Sequence, residues 1–126
     1  MPLEIGGLSP MLKVTDLSAT IKFYTETLGF TVQNQMSDDD GTPTWCALKW
    51  GNARVMFYSA ASLDQPPGPS AMTGVLYFYP ADVRALWAHL KDRVEVAWPL
   101  EEMPYGMLEF AIRDCNGYIL SFGQQV

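Results

Sequence analysis

Histidine, the commonest proton carrier near neutral pH, occurs once in this chain, at His89. The groups left to do chemistry are carboxylates, tyrosines, tryptophans and hydroxyls on alternating segments. In Met107–Arg113, alternation sets Leu108, Phe110 and Ile112 on one side, and Met107, Glu109, Ala111 and Arg113 on the other. In the following segment Leu120 and Phe122 oppose Ile119 and Ser121. The same reading elsewhere collects Trp45, Arg54, Met56, Tyr58, Val75, Tyr77, Tyr79, Glu109, Arg113 and Ser121 on a second, polar-aromatic face. Ring faces for flat or cationic groups, with a few polar groups to fix orientation, are what a small-molecule pocket requires. Each tyrosine also suits ordinary sheet packing. Arg54 and Glu109 either pair across the cavity as neighbouring-strand ions or each meet a ligand group. Ser9 and Ser121 have no histidine or lysine base at recognisable spacing, so neither hydroxyl is activated as a nucleophile. Trp50 and Trp87 follow core spacing. Trp45 and Trp98 are the probes of a cavity, Trp98 standing before Pro99 at an irregular strand end that suits a cleft rim, a subunit interface or a core edge.

Positioning these residues needs strands and two helices. Asp16 caps a helix whose apolar positions are Leu17, Ile21, Tyr24 and Leu28, closed by Gly29. Asp82 repeats the device before Val83, Leu86, Trp87 and Leu90, with Lys91 and Arg93 near the negative end of the helix dipole. A strand precedes each helix, Met11 to Val14 and Val75 to Tyr79, and three alternating runs follow each. The halves repeat at an offset of about 65 residues, Asp16-Leu17 matching Asp82-Val83 and 52–57 matching 116–121. The prolines of 62–70 predict a linker, and 38–41 a solvated hairpin tip. Asp114, Asn116 and Gly117 supply the last tight turn. The expected fold is α+β, two tandem βαβββ modules at about 7–60 and 72–124 joined by a linker at about 61–71, within one domain.

Composition narrows the partners. A net charge of −6 with eight Lys plus Arg and no basic run argues against nucleic acid or an anionic membrane surface. No apolar run approaches the ~18 residues of a membrane-spanning helix, and 1–5 lacks the basic start and apolar block of a signal peptide. The cytoplasm is the expected location. Cys46 and Cys115 form no C-x-x-C and read as two reduced, partly buried thiols.

The duplicated βαβββ unit, with 9–16 leading into Phe23-Tyr24-Thr25-Glu26-Thr27-Leu28-Gly29-Phe30 and the closing Asp-x-x-Gly hairpin at Asp114, resembles the vicinal oxygen chelate superfamily. That superfamily includes glyoxalase I, extradiol dioxygenases, fosfomycin resistance enzymes and bleomycin resistance proteins. The resemblance implies metal-ligand positions at Ser9, Met56, Val75 and Ser121, which hold no imidazole or carboxylate. Neither a metal nor another cofactor is expected. The closing segment, Pro104-Tyr105-Gly106 followed by Glu109-Phe110-Ala111 and Arg113-Asp114, is similar to the bleomycin resistance branch, where an aromatic at the position of Tyr105 belongs to the drug cleft. Cys115 stands where that family usually has proline. The resemblance also implies a homodimer whose clefts use residues of both chains, Pro10 sitting where a swapped strand could hinge. The expected function is metal-free binding and sequestration of an antibiotic-like small molecule by Trp45, Arg54, Met56, Tyr58, Tyr77, Tyr105, Glu109 and Ser121. The alternatives are a lyase-like or isomerase-like enzyme moving a proton through Glu109 or a tyrosine, and a ligand-sensing domain.

Overall fold

The computed structural model describes residues 3, 4, 6–60 and 70–126, so most of the expected linker lies outside the described residues. The elements run in the expected order. β1 (Met11–Val14) leads into α1 (Leu17–Lys22), which continues as a π-helical turn over Phe23–Leu28. β2 (Thr31–Ser37), β3 (Pro43–Trp50) and β4 (Ala53–Ser59) complete the first half. β5 (Val75–Phe78), α2 (Val83–Leu90), β6 (Glu95–Glu102), β7 (Met107–Arg113) and β8 (Ile119–Gln125) make the second. The strands form two four-stranded mixed sheets, ordered β1-β4-β3-β2 and β5-β8-β7-β6, the same topology twice. In each, the first strand pairs parallel with the last, Met11 opposite Met56 and Tyr77 opposite Ser121.

Local chemistry explains the helix ends. Asp16 and Asp82 hold extended backbone and accept from the amides of Ala19 and Ala85, both at 3.0 Å. Arg93 Nε donates to the His89 carbonyl at 2.9 Å, where the dipole favours a cation. Gly29, at φ 108°, ends the first helix in a conformation that penalises any Cβ. The π-helical turn before it was not expected from the spacing, which fits an α-helix equally well.

One apolar core runs through both halves. Tyr24 packs on Phe57 at 4.7 Å and Trp87 on Phe110 at 5.1 Å, so each helix covers the apolar face of its own sheet. The halves join through Phe30 against Phe78 at 6.0 Å and Trp50 against Phe122 at 6.4 Å. Polar contacts join them too, and in the most buried of these the Tyr24 hydroxyl donates to Asp114 Oδ2 at 2.6 Å. Asp114 Oδ1 meanwhile accepts the amides of Asn116 and Tyr118, both at 2.8 Å, and Gly117 at φ 87° completes the turn. The Phe-Tyr helix and the Asp-x-x-Gly hairpin, two separate signals in the sequence, are the two ends of this contact. At the tip formed by 38–41, Asp38 Oδ1 accepts the amides of Asp40 and Thr42, all exposed, as expected of a solvated turn. Cys46 is buried, but Cys115, expected partly buried, is exposed; both are free thiols. No described helix is long and apolar enough to cross a membrane.

Candidate functional site

The second faces of the two sheets carry the predicted residues in two separate groups. Strand register puts Trp45 opposite Tyr58, Ala47 opposite Met56 and Lys49 opposite Arg54, so Trp45, Arg54, Met56 and Tyr58 share the open face of the β1–β4 sheet. Tyr77, Glu109 and Ser121 share the open face of the β5–β8 sheet, with Tyr105 in the turn before β7. The expected pairing of Arg54 with Glu109 does not form. Arg54 Nε donates to Gln33 Oε1 at 2.7 Å and its Nη1 to Ser9 Oγ at 3.1 Å, both within the first half. Alternation fixes which face a residue occupies, but which face meets which is a tertiary matter, and these two lie on different sheets. Arg113, also read as facing the cavity, instead approaches Glu95 on the edge strand at 3.7 Å.

The second group converges on one carboxylate. Glu109 is 3% exposed. Its Oε1 accepts from the hydroxyls of Tyr77, at 3.2 Å, and Tyr105; its Oε2 accepts from Trp98 Nε1 at 3.2 Å and Ser121 Oγ at 3.4 Å. Each donor is placed by a local device. Tyr105 sits in a turn closed by Gly106 N to Met103 O at 3.0 Å, with Gly106 at φ 84°. Gly123 lies opposite Glu109 on β8, and a Cβ there would collide with the Tyr77 ring, so the missing side chain is what lets Tyr77 reach across. Trp98 was read as a cavity probe and left out of the binding set. The β6–β7 register breaks between Trp98 and Glu101, spanning Pro99, which has no amide for the ladder, and Trp98 on this edge strand turns its indole to Glu109. The usable signal was the Trp-Pro dipeptide on a strand facing Glu109.

Burial and the adjoining Glu109 carboxylate push the Tyr77 phenol up to about 12. The hydrogen bond to Glu109 holds Tyr105 above the ordinary tyrosine value. Burial raises the Cys46 thiol to about 11 and lifts Tyr24 well above 10. All these groups bind their protons more tightly folded than unfolded. The stability this represents is complete below the unfolded values of about 9 to 10 and is lost as pH rises through the folded ones. Urea midpoints should therefore fall steadily between pH 9 and 12, and less steeply in Tyr24→Phe; a flat profile would contradict these burial assignments.

A cavity of about 920 Å3 lies elsewhere, between the β3–β4 turn, the exit of β5 and α2, with Trp50, Tyr79, Leu86 and His89 among its walls. Of the predicted binding residues only Tyr77 borders it. His89 lies at this wall and is not among the groups bonded to Glu109.

A family model described as the Glyoxalase/Bleomycin resistance protein/Dioxygenase superfamily matches residues 8–122. The chain belongs to this superfamily. No curated protein matches it. Solved structures of similar shape include a bleomycin-binding protein from Streptomyces verticillus complexed with copper(II)-bleomycin, at 22% identity and TM-score 0.68 over 96% of this chain and 97% of that one. TnmS3, an antibiotic binding protein from Streptomyces sp. CB03234, is 23% identical with TM-score 0.74 over 99% and 100%. A glyoxalase-related enzyme from Clostridium phytofermentans is 18% identical with TM-score 0.78 over 98% of each chain. These likenesses establish the fold.

The resemblance to metal-dependent members would assign a divalent ion to Ser9, Met56, Val75 and Ser121. These residues do not fit one. Ser9 Oγ is bonded to the Arg54 guanidinium, a cation where a second cation would have to sit. Taking the register partners Met11 and Tyr77 instead supplies a thioether and a phenol, no better suited to a hard or borderline ion.

Proposed function

We propose that this protein binds and sequesters an aromatic small molecule, antibiotic-like in size, without transforming it. The observation that carries this reading is the Glu109 cluster. Three aromatic side chains and one hydroxyl converge on a buried carboxylate, and the face they form is bounded by exposed apolar residues that include Val75 and Tyr79. Stacking surface around a fixed charge suits recognition. The cluster holds no histidine, lysine or cysteine, and the neighbouring carboxylate, Glu101 opposite Glu109 on β6, is exposed and outside its hydrogen bonds. The antibiotic-binding proteins among the similar structures support the same reading.

The two separated groups are reunited if a homodimer lays the open face of the first sheet of one copy over the open face of the second sheet of the other. Trp45, Arg54, Met56 and Tyr58 would then face Tyr77, Tyr105, Glu109 and Ser121 across a shared cleft. The exposure of Met11 and Met36 on the first face, and of every residue of β2, supports such a cover. The reading places the protein in the cytoplasm, where free Cys46 and Cys115 stay reduced.

The test is a tryptophan-fluorescence titration with a metal-free bleomycin-class drug. Saturable quenching near one drug per cleft, weakened at least tenfold or so by Tyr105→Ala and by Trp45→Ala (about 1.4 kcal/mol), with the drug recovered unchanged, is the expected result. A flat titration removes the resistance reading, and a chemically altered drug replaces it with an enzyme acting through Glu109 or a tyrosine.

A further inference from the structure

We propose that Glu109 is the receptor for a cationic group on the ligand, an amidinium, guanidinium or ammonium bearing N–H donors, and that Tyr105 is the cap this group displaces. The inference deepens the proposed function and rests on it for the existence of a ligand.

A carboxylate has about four lone-pair positions. In Glu109 all four are used, two on each oxygen, and every donor is neutral. Its hydrogen bonding is complete while its charge is not. Among the described residues the ion pair is Arg113 with Glu95, and Arg54 is held by Gln33 and Ser9 in the other sheet. A desolvated anion with no counter-ion attracts an incoming cation far more strongly than an exposed one does. Neutral donors soften that demand without meeting it.

An N–H donor can reach Glu109 only by replacing one of the four present. Three are built in. Ser121 is 1% exposed on the interior strand β8, Tyr77 is wedged over Gly123, and Trp98 is fixed to the edge strand at the Pro99 irregularity. Tyr105 differs from them, since it rises from a turn and is 64% exposed, so a change of rotamer carries its hydroxyl away from Oε1 with little buried surface to lose. A planar amidinium then brings one N–H donor to the vacated position on Oε1 together with its full positive charge. The rings of Tyr77 and Trp98 beside it present π-faces to the positive charge. A neutral ligand must compete with the Tyr105 hydroxyl on equal terms and gains no such advantage.

Benzamidinium and benzamide make a matched pair of probes, alike in size and shape and differing in charge. Calorimetric titration of the full chain at pH 7 should show benzamidinium binding about tenfold more tightly or better, the factor a single charge-assisted bond provides. Tyr105→Phe keeps the ring and removes the competing hydroxyl, so it should tighten benzamidinium several-fold, and since benzamide must displace the same hydroxyl, any gain by benzamide should leave the preference for the cation in place. Glu109→Gln, nearly isosteric, should abolish the preference. If Glu109→Gln does not fold, as its circular dichroism would reveal, Tyr105→Phe carries the decision alone. Equal affinity for the two probes, no binding of either at millimolar concentration, or weaker benzamidinium binding in Tyr105→Phe overturns the proposal. The drug titration reports separately. Drug saturation without a charge preference removes the cap and keeps sequestration, whereas a charge preference with a flat drug titration does the reverse.

Discussion

Asp114→Ala is expected to lower the unfolding free energy by about 3 kcal/mol, because it strands two buried donors. The carboxylate accepts from the Tyr24 hydroxyl and from the amides of Asn116 and Tyr118. Tyr24 is fully buried and Tyr118 nearly so, so neither the phenol nor the Tyr118 amide finds water when the acceptor is removed. The Asn116 amide, on a half-buried turn residue, can. A partial offset comes from Asp114 itself, whose carboxyl burial pushes above its ordinary range despite hydrogen bonds that favour the charged form. Removing it relieves that strain. Asp114→Asn keeps an oxygen for the two amides and should cost about 1 kcal/mol, the value of one ordinary hydrogen bond. In Tyr24→Phe the alanine change should lose much of its effect, since the phenol is then no longer there to be stranded. Urea unfolding at pH 7 of the five proteins, the wild type, the three single variants and the Tyr24→Phe/Asp114→Ala double variant, decides this. An alanine variant less than about 1 kcal/mol weaker would show that water or a rearranged turn replaces the aspartate.

Much of this architecture is written locally. Period-two alternation in 107–113 and 119–122 placed every residue on the face it occupies, and the repeated Asp caps located both helices. The Tyr24–Asp114 contact was not legible. Its partners lie 90 residues apart, and each has a sufficient local explanation, as a helix apolar position and as a turn residue. For the same reason alternation assigns the strand faces of the predicted binding residues but not their division between the two sheets. Arg54 and Glu109 each face away from their own sheet's core, but nothing in either segment says whether the two sheets share a cleft. The buried centre of the second face was also unforeseen. Glu109, Ala111 and Ser121 are buried because Tyr77 and Trp98, brought in by strand pairing, and Tyr105, held in its turn, close over them. Here a glycine and a proline, Gly123 and Pro99, carry as much of the site's geometry as the residues that touch Glu109.

The other large effect is expected at Phe122, where the two halves and the site meet. Its ring stacks on Phe78 at 5.2 Å and Phe110 at 5.1 Å and reaches Trp50 of the first half at 6.4 Å. Phe122→Ala removes all three contacts from a residue 1% exposed, and about 4 kcal/mol of stability should go with them. Because Phe122 also lines the 920 Å3 cavity, the void it leaves adjoins existing space and has few neighbours that can close it. Phe122→Leu, which keeps most of the volume, should cost roughly 1 to 2 kcal/mol. Tryptophan fluorescence and far-UV circular dichroism should still report one coincident transition at a lower urea midpoint, since a single core joins the modules. Two separated transitions would mean that each module holds its own core and that the aromatic bridge is incidental. The substitution also reaches the binding face. Ser121 and Gly123 flank Phe122 on β8, one donating to Glu109 and the other giving Tyr77 its room. A strand loosened at Phe122 should therefore weaken binding of a benzamidinium probe in protein that remains folded, whereas Val14→Ala, a core loss on β1 of the other sheet, should leave it intact.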